Sequence, residues 1–390
     1  MKRKILIAIV VLLSSLVTIG YLINPQIFKI AWFQKPDVKT YENFPIREMQ
    51  KSPNPFVFPE NLVVKTSLDP VLVKNWKGEM VSFSDYFKTG KLLAFLVIKN
   101  DTLVYEKYGH GYGRTTLSNT FSIGKSMISI ATGKALELGY LEHTEQNVTD
   151  FLSEFKENPD FNNVRIEDLL NMKSGLKFKR AGDGIFSDLF CDEAKFYYTR
   201  NLKKDLLKVK FDTLPGQRWK YSNLDPLILT WIIEKASGQF VSDFFEQHIW
   251  HPIGAEYKGS WGIDHMEGLE NSPSSFQCTA IDLAKIGRLL LNDGVRDSTQ
   301  ILSTDWIKKS VGIQQKNRAN TSKGTQRATH QYYWWLPQEG FEGDFSAEGL
   351  RGQRLYINPI ENIIIVQFAN GGYGGYPYRT IAKHFAENPN

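Results

Sequence analysis

Residues that form cross-links or bind metals are scarce in this chain. Its 390 residues include two cysteines, Cys191 and Cys278, which are too few for a disulfide framework and lack a Cys-x-x-Cys partner. The seven histidines are scattered without the spacing of metal ligands, and no His-Glu-x-x-His motif occurs. We therefore expect two free or buried thiols, no metal site and no cofactor.

A strong excess of one charge is also absent. The formal net charge is +5, and Lys2, Arg3 and Lys4 at the N-terminus contribute three of the positive charges. Because no long basic run occurs, nucleic acid is not an expected partner. The hydrophobic fraction of 42% is instead typical of a globular protein with a sizeable core.

Charge is missing entirely from residues 5–23, and this run is long enough to cross a bilayer as a helix. The cationic residues before it favour a cytoplasmic N-terminus. A cleaved signal peptide is the alternative, although Thr18-Ile-Gly20 matches a cleavage site poorly. Residues 1–24 are therefore a transmembrane anchor or a signal segment. In either case we expect the rest of the chain to be extracytoplasmic, periplasmic or extracellular.

Strand patterns at both ends of the chain enclose a helical middle. Two apolar runs around Asn100-Asp101 predict an early hairpin, and residues 353–368 predict two late strands. We expect these strands to form one antiparallel sheet flanked by helices, with an inserted all-helical lobe, an α/β (α+β) fold. The predicted organisation is a tether and irregular segment over 25–85, then a globular domain over 86–390 with a sheet lobe (86–140 and 275–390) and a helical lobe (141–274).

The stretch Ser122-Ile-Gly-Lys125 carries the first chemical signal. On a helix, residues three apart lie on one face, so the serine hydroxyl is expected beside the lysine amine. A serine needs a nearby base to become a nucleophile, and a lysine with a lowered pKa can be that base. A serine in the first helical turn also has a free backbone N–H that can bind an oxyanion. The pair predicts a Ser–Lys acyl-transfer enzyme.

Three alternatives weaken this motif when it is taken alone. A capping serine followed by an exposed lysine is the plain structural explanation. Residues 119–126 also nearly match a phosphate-binding loop, although Asn119 replaces its first glycine and a polar turn precedes it. The same Ser-x-x-Lys spacing recurs in a polar, surface-like stretch and at a turn, as the pairs Ser153/Lys156 and Ser174/Lys177.

Two further segments offer partners for the serine. Tyr221-Ser-Asn223 precedes a helix that we expect to start at Asp225, with its carboxylate as the N-cap. Tyr221 can pass a proton to a leaving group if nearby cations lower its pKa, and Asn223 can hold a substrate carbonyl or the lysine amine. Near the C-terminus, Gly349 allows a close backbone approach, so the N–H of Leu350 is a candidate second oxyanion donor. Alone, each segment is equally an ordinary turn or bulge.

Together, Ser122-Ile-Gly-Lys125, Tyr221-Ser-Asn223 and Ala347-Glu-Gly349 resemble, in order and approximate spacing, the three motifs of the serine β-lactamase and penicillin-binding-protein superfamily. The resemblance extends from about Phe83 to the C-terminus. It implies the two-lobed β-lactamase-like fold, with Ser122, Lys125 and Tyr221 as catalytic residues.

The third motif departs from the β-lactam-processing pattern, because Ala347 stands where those enzymes usually carry a cation. It instead resembles 6-aminohexanoate-dimer hydrolase and related esterases, which implies a small ester or amide substrate. Arg351 and Arg354 are candidates to replace the missing cation as carboxylate ligands. A D-Ala-D-Ala carboxypeptidase or β-lactamase stays open as an alternative, as does a membrane-anchored binding or sensor module that keeps the fold without turnover.

Overall fold

The computed structural model describes residues 2–23, 26–33, 35–61, 68–75, 77–182, 190–312, 328–337, 343–371 and 377–388. Within these ranges the strands are β1 (Ile46–Met49), β2 (Leu72–Lys74), β3 (Met80–Ser82), β4 (Leu92–Lys99), β5 (Thr102–Tyr108), β6 (Ser118–Asn119), β7 (Gly259–Gly262), β8 (Phe276–Cys278), β9 (Val295–Arg296), β10 (Thr299–Gln300), β11 (Ala328–Gln331), β12 (Trp334–Pro337), β13 (Phe345–Gly349), β14 (Gln353–Asn358) and β15 (Ile363–Ala369).

The α-helices in the same ranges are α1 (Lys2–Ile23), α2 (Ile27–Phe33), α3 (Phe83–Thr89), α4 (Ile123–Glu137), α5 (Val148–Phe151), α6 (Ile166–Leu170), α7 (Asp192–Tyr198), α8 (Leu202–Leu206), α9 (Leu224–Ser237), α10 (Val241–Phe245), α11 (Ala280–Leu291), α12 (Thr304–Val311) and α13 (Tyr378–Glu387). Short 3₁₀ turns occupy Thr40–Asn43, Ser153–Phe155, Pro159–Asn163 and Leu350–Gly352, and a π turn follows α10 at Glu246–Trp250.

A seven-stranded antiparallel sheet joins the two ends of the chain, in the order β11-β12-β13-β14-β15-β4-β5. The early hairpin and the late strands thus form one sheet, as predicted. Alternation along β4 gives the sheet two apolar faces, because successive side chains point to opposite sides. Leu96 and Ile98 enter the main core, which includes α4, α9 and α11. Phe95 and Val97 enter a second core with α3 and α13.

Helix α4, which begins directly after Ser122, lies deep in the molecule. Every residue from Ile123 to Ala135 is buried, because α4 packs against α9 of the helical lobe and against β13 and β14 of the sheet. A helix apolar on all sides is typical of such a central position. The first turn of α4 therefore lies where the two lobes meet.

The segment 25–85 differs from the expected irregular tether. Strand β1 pairs antiparallel with β7 in a second sheet of order β1-β7-β8-β6, and Met49 at its end is fully buried. Helix α2 packs on α7, where Phe33 stacks on Tyr198 with ring centres 6.0 Å apart. The lobe 141–274 is likewise not all helical, since it contains β7. Both differences arise from pairing between segments about two hundred residues apart.

The expected N-cap of α9 is also wrong. The helix begins at Leu224 with Asn223 in the capping position, and Asp225 lies inside the first turn. Asp225 is buried and accepts a hydrogen bond from Ser174 Oγ at 2.8 Å. Burial raises the pKa of the Asp225 carboxyl to about 7. Both Cys191 and Cys278 are buried free thiols.

Among the described residues, one helix, Lys2–Leu22, is long and apolar enough to cross a membrane, with a mean hydropathy of 2.6 in its most apolar window. None of that window is buried against the rest of the protein. Both an anchor and a signal sequence have these properties.

Candidate active site

Ser122 and Lys125 are in direct contact at the first turn of α4. Lys125 Nζ lies 2.9 Å from Ser122 Oγ and donates a hydrogen bond to the carbonyl of Pro273, also at 2.9 Å. The lysine is 1% exposed. It is therefore not the exposed lysine of the capping alternative. Ser122 itself is half-buried, so its hydroxyl remains within reach of a ligand.

Burial gives Lys125 the properties of a base. Loss of solvation lowers its pKa from 10.5 to about 7; Glu193 opposes this change and Arg180 supports it. Near neutral pH about half of the amines are then uncharged. An uncharged amine can accept the Ser122 proton across the 2.9 Å contact.

Gly124, between the serine and the lysine, permits the contact with the Pro273 carbonyl. A Cβ atom added there would lie 2.1 Å from the carbonyl oxygen of Ser272. Only glycine therefore lets α4 approach the 272–274 segment closely enough for the Lys125 bond.

Tyr221 completes a three-residue cluster. Its hydroxyl forms a hydrogen bond with Ser122, and its ring centre lies 4.9 Å from Lys125 Nζ. The pKa of this phenol is raised to about 12, chiefly by burial, while the Ser122 bond and Arg180 oppose the rise. The expectation that nearby cations would lower this pKa is therefore wrong. Tyr221 is a protonated phenol at neutral pH and can act as a proton donor.

Asn223 lies in the same region with one polar atom unused. Its Nδ2 donates a weak hydrogen bond to Ser274 Oγ at 3.4 Å, and the side chain is buried. Its Oδ1 has no hydrogen-bond partner within the described ranges. A buried acceptor without a partner costs free energy, so a ligand donor at this position would be stabilised.

Gly349 brings the end of β13 against the residues that precede Ser122. A Cβ at this position would lie 2.1 Å from the carbonyl oxygen of Thr120. Gln353 fixes the following turn, since its Nε2 donates to the carbonyls of Leu350 at 3.2 Å and Ala369 at 2.6 Å. The Leu350 backbone therefore lies near Ser122, and its side chain is 39% exposed.

Arg351 and Arg354 are both engaged elsewhere, so their expected role as carboxylate ligands is not supported. Arg351 donates to the backbone carbonyls of Pro36 at 2.7 Å and Lys35 at 3.1 Å. Arg354 forms an ion pair with Glu348 at 3.2 Å.

The segment 35–38 contacts several elements of the site. Besides the two bonds from Arg351, the Val38 carbonyl accepts a hydrogen bond from the backbone N–H of Asn119 at 3.2 Å. Lys35 Nζ donates to the carbonyl of Gly182 at 3.4 Å. The chain that follows α2 therefore supports the turn at Leu350, strand β6 and the residues after Arg180.

Sequence reasoning missed three side chains that surround Tyr221. Trp335 stacks on its ring at 6.1 Å, His330 meets it edge-on at 5.8 Å, and the guanidinium carbon of Arg180 lies over it at 4.8 Å. Burial and the neighbouring Lys125 lower the pKa of His330 to about 3, so this histidine is neutral. No local motif marks these residues, because only the tertiary fold brings them to Tyr221.

The other predicted pairs do not form such a site. Ser153 and Lys156 are exposed at the surface. Ser174 is buried but bonds to Asp225, while Lys177 is exposed.

Comparison with known proteins agrees with the fold and the motifs. The family model described as Beta-lactamase matches residues 92–386. The 6-aminohexanoate-dimer hydrolase of Paenarthrobacter ureafaciens is 23% identical over 71% of this chain and 72% of its own length. A solved structure from Bacillus anthracis, provisionally described as a 6-aminohexanoate-dimer hydrolase, has a TM-score of 0.79 and 24% identity, covering 92% of this chain and 97% of that one.

Two further solved structures share the fold. A family VIII carboxylesterase has a TM-score of 0.60 at 17% identity, covering 78% of this chain and 95% of that one. A penicillin-binding protein from Bacillus halodurans has a TM-score of 0.61 at 19% identity, with 77% and 99% covered. Since the family model covers most of the chain, this protein belongs to the beta-lactamase family and is a β-lactamase-related serine hydrolase.

Proposed function

We propose that this protein is a Ser–Lys–Tyr hydrolase that cleaves a small ester or amide through an acyl-enzyme. The observation that carries the proposal is the 2.9 Å contact between Ser122 Oγ and a buried Lys125 amine whose pKa is lowered to about 7. A serine beside a neutral amine is an activated nucleophile.

In the acylation step, the Ser122 hydroxyl transfers its proton to Lys125 as Oγ attacks the substrate carbonyl. The negative charge that develops on the carbonyl oxygen is bound by the backbone N–H groups of Ser122 and Leu350. Loss of one such donor commonly costs about 3 kcal/mol of transition-state stabilisation. Asn223 holds the substrate through its free Oδ1.

Tyr221 then donates its phenolic proton to the leaving alcohol or amine as the bond to the carbonyl carbon breaks. The ammonium of Lys125 returns a proton to the phenolate through Ser122 Oγ, so both groups regain their starting forms. A pKa of about 12 keeps Tyr221 protonated at neutral pH, which supports its role as the donor. Water, deprotonated by Lys125, hydrolyses the acyl-enzyme in the second half of the reaction.

The proposed substrate class follows from the third motif. Ala347 is buried in β13 and brings no cation to the cleft, whereas β-lactam-processing enzymes usually have one there. A relative described as an amide hydrolase and a fold neighbour described as a carboxylesterase support an amide or ester. We further propose that α1 anchors the protein in a membrane with the catalytic domain extracytoplasmic.

The test uses the full chain in detergent micelles with p-nitrophenyl esters, short amides and nitrocefin. Ser122→Ala should abolish turnover and labelling by a fluorophosphonate. Ser153→Ala removes the serine of an exposed Ser-x-x-Lys pair and is the matched control, which should keep both.

Three outcomes would contradict parts of the proposal. Turnover that persists in Ser122→Ala would refute the nucleophile. A burst of one product per enzyme followed by silence would identify a non-hydrolytic binding or sensor module. Rapid nitrocefin hydrolysis with no ester or amide turnover would identify a β-lactamase.

A further inference from the structure

The cleft lacks the usual cation of the third motif, yet one cation lies against Tyr221. Arg351 and Arg354 are engaged with backbone carbonyls and with Glu348, and Lys125 is buried inside the cluster. Arg180 is different, because its side chain is exposed and forms no ion pair within the described part of the chain.

Arg180 is held in a geometry suited to anion binding. Its guanidinium carbon lies over the Tyr221 ring, 4.8 Å from the ring centre. A guanidinium that rests on an aromatic ring keeps the N–H donors at its edge free. Those donors form a planar fork that matches the two oxygens of a carboxylate.

We propose that Arg180 binds a carboxylate on the leaving-group side of the substrate. The placement rests on the proposed function, in which Tyr221 protonates the leaving group. An anion near Arg180 is therefore closer to the departing alcohol or amine than to the acyl group. The substrate class is an ester or amide whose leaving group carries a carboxylate a few bonds from the scissile bond.

Two carboxylates face the same region and are already engaged. Glu193 Oε2 accepts a hydrogen bond from the backbone N–H of Ala181 at 2.9 Å. Glu348 is paired with Arg354 at 3.2 Å. Both reduce the local positive potential, but neither forms an ion pair with Arg180 in the described ranges.

The experiment compares two acetyl esters that differ in leaving-group charge but little in size. They are 4-acetoxybenzoate, which releases a carboxylated phenol, and its neutral amide, 4-acetoxybenzamide. The full chain in detergent should favour the carboxylate by about tenfold in kcat/KM, as expected for a charge-assisted bidentate contact. Arg180→Gln should reduce this ratio to about one.

The ratio is the useful quantity, because any effect of Arg180 on the Lys125 pKa changes both substrates equally at one pH. Lys179→Gln removes the neighbouring exposed cation and is the matched control, which should keep the ratio. Arg180→Lys should keep only part of it, since an ammonium cannot bind in a bidentate manner.

Equal rates for the two esters in the wild type would overturn the proposal, as would a preference that persists in Arg180→Gln. If neither ester is hydrolysed, the proposed function fails and Arg180 is tested by calorimetry instead. 4-Hydroxybenzoate should then bind the wild type about tenfold tighter than Arg180→Gln. Equal affinities would refute the anion site.

Discussion

The pKa of Lys125 sets the pH at which this site can work, and two nearby charges move it in opposite directions. Burial, the largest cause, lowers the pKa to about 7, while Glu193 raises it and Arg180 lowers it. Because the amine must be neutral to accept the Ser122 proton, kcat/KM for a neutral ester should rise with pH and level off above about pH 7. Glu193→Gln should move this acidic limb to lower pH, and Arg180→Gln should move it to higher pH.

The structure also gives the size of the effect. With its ordinary pKa of 10.5, about 3 in 10,000 lysine side chains would be neutral at pH 7, compared with about half at a pKa of about 7. The charges of Lys125 and Arg180 both lie within 5 Å of the Tyr221 ring centre, and so are at most about 10 Å apart. At an effective dielectric constant of about 20 their repulsion is about 1.7 kcal/mol. Screening at the exposed guanidinium reduces this severalfold, which leaves a shift of about half a pH unit.

The assay is the hydrolysis of 4-acetoxybenzamide from pH 5 to 10 by the full chain in detergent. A neutral substrate is needed so that binding at Arg180 does not contribute to the profile. Glutamine at 193 keeps an acceptor for the Ala181 N–H, so the change is mainly one of charge. Lys179→Gln, which removes an exposed charge, should leave the limb in place. Movement of both variants in the same direction, or a wild-type limb centred near pH 10, would refute the assignment of Lys125 as the base.

Two further predictions concern packing around the site. Gly124→Ala should lower the melting temperature by several degrees and the ester kcat/KM at least tenfold, because the new Cβ would overlap the Ser272 carbonyl; Gly113→Ala, which meets no atom within 4 Å, is the control, and equal losses in both variants would contradict this explanation. Deleting residues 2–24 should leave kcat/KM unchanged, whereas deleting residues 2–38 should reduce it about tenfold by removing the backbone carbonyls that hold the turn after β13 and strand β6; full activity of the longer deletion would show that this segment does not support the site.

The elements that were predicted correctly depend on local patterns. The hairpin at Asn100-Asp101 alternates around a tight turn, and β4 and β5 form there. Helix α4 has an apolar period that begins after Ser122. Thr279 caps α11 by accepting a hydrogen bond from the Asp282 N–H, as its position before the helix predicts.

The elements that were missed depend on distant partners. Strand β1 is a short polar segment by sequence and becomes a strand only because β7 pairs with it. Asp225 has the sequence of an N-cap, but its contact with Ser174 draws it into the interior. Neither effect can be read from neighbouring residues, since the partners lie 51 residues away or more.

By itself, the sequence determined the family, the two-lobed fold and the spacing of Ser122 and Lys125, because helical periodicity places residues three apart on one face. The tertiary structure alone decided the protonation states and the surroundings of these groups. Burial of the amine, burial of the Tyr221 phenol and the position of Arg180 over its ring all depend on solvent exclusion by segments far apart in the chain. Solvation and charge are properties of the folded neighbourhood, so a motif can name the groups but cannot set their pKa values.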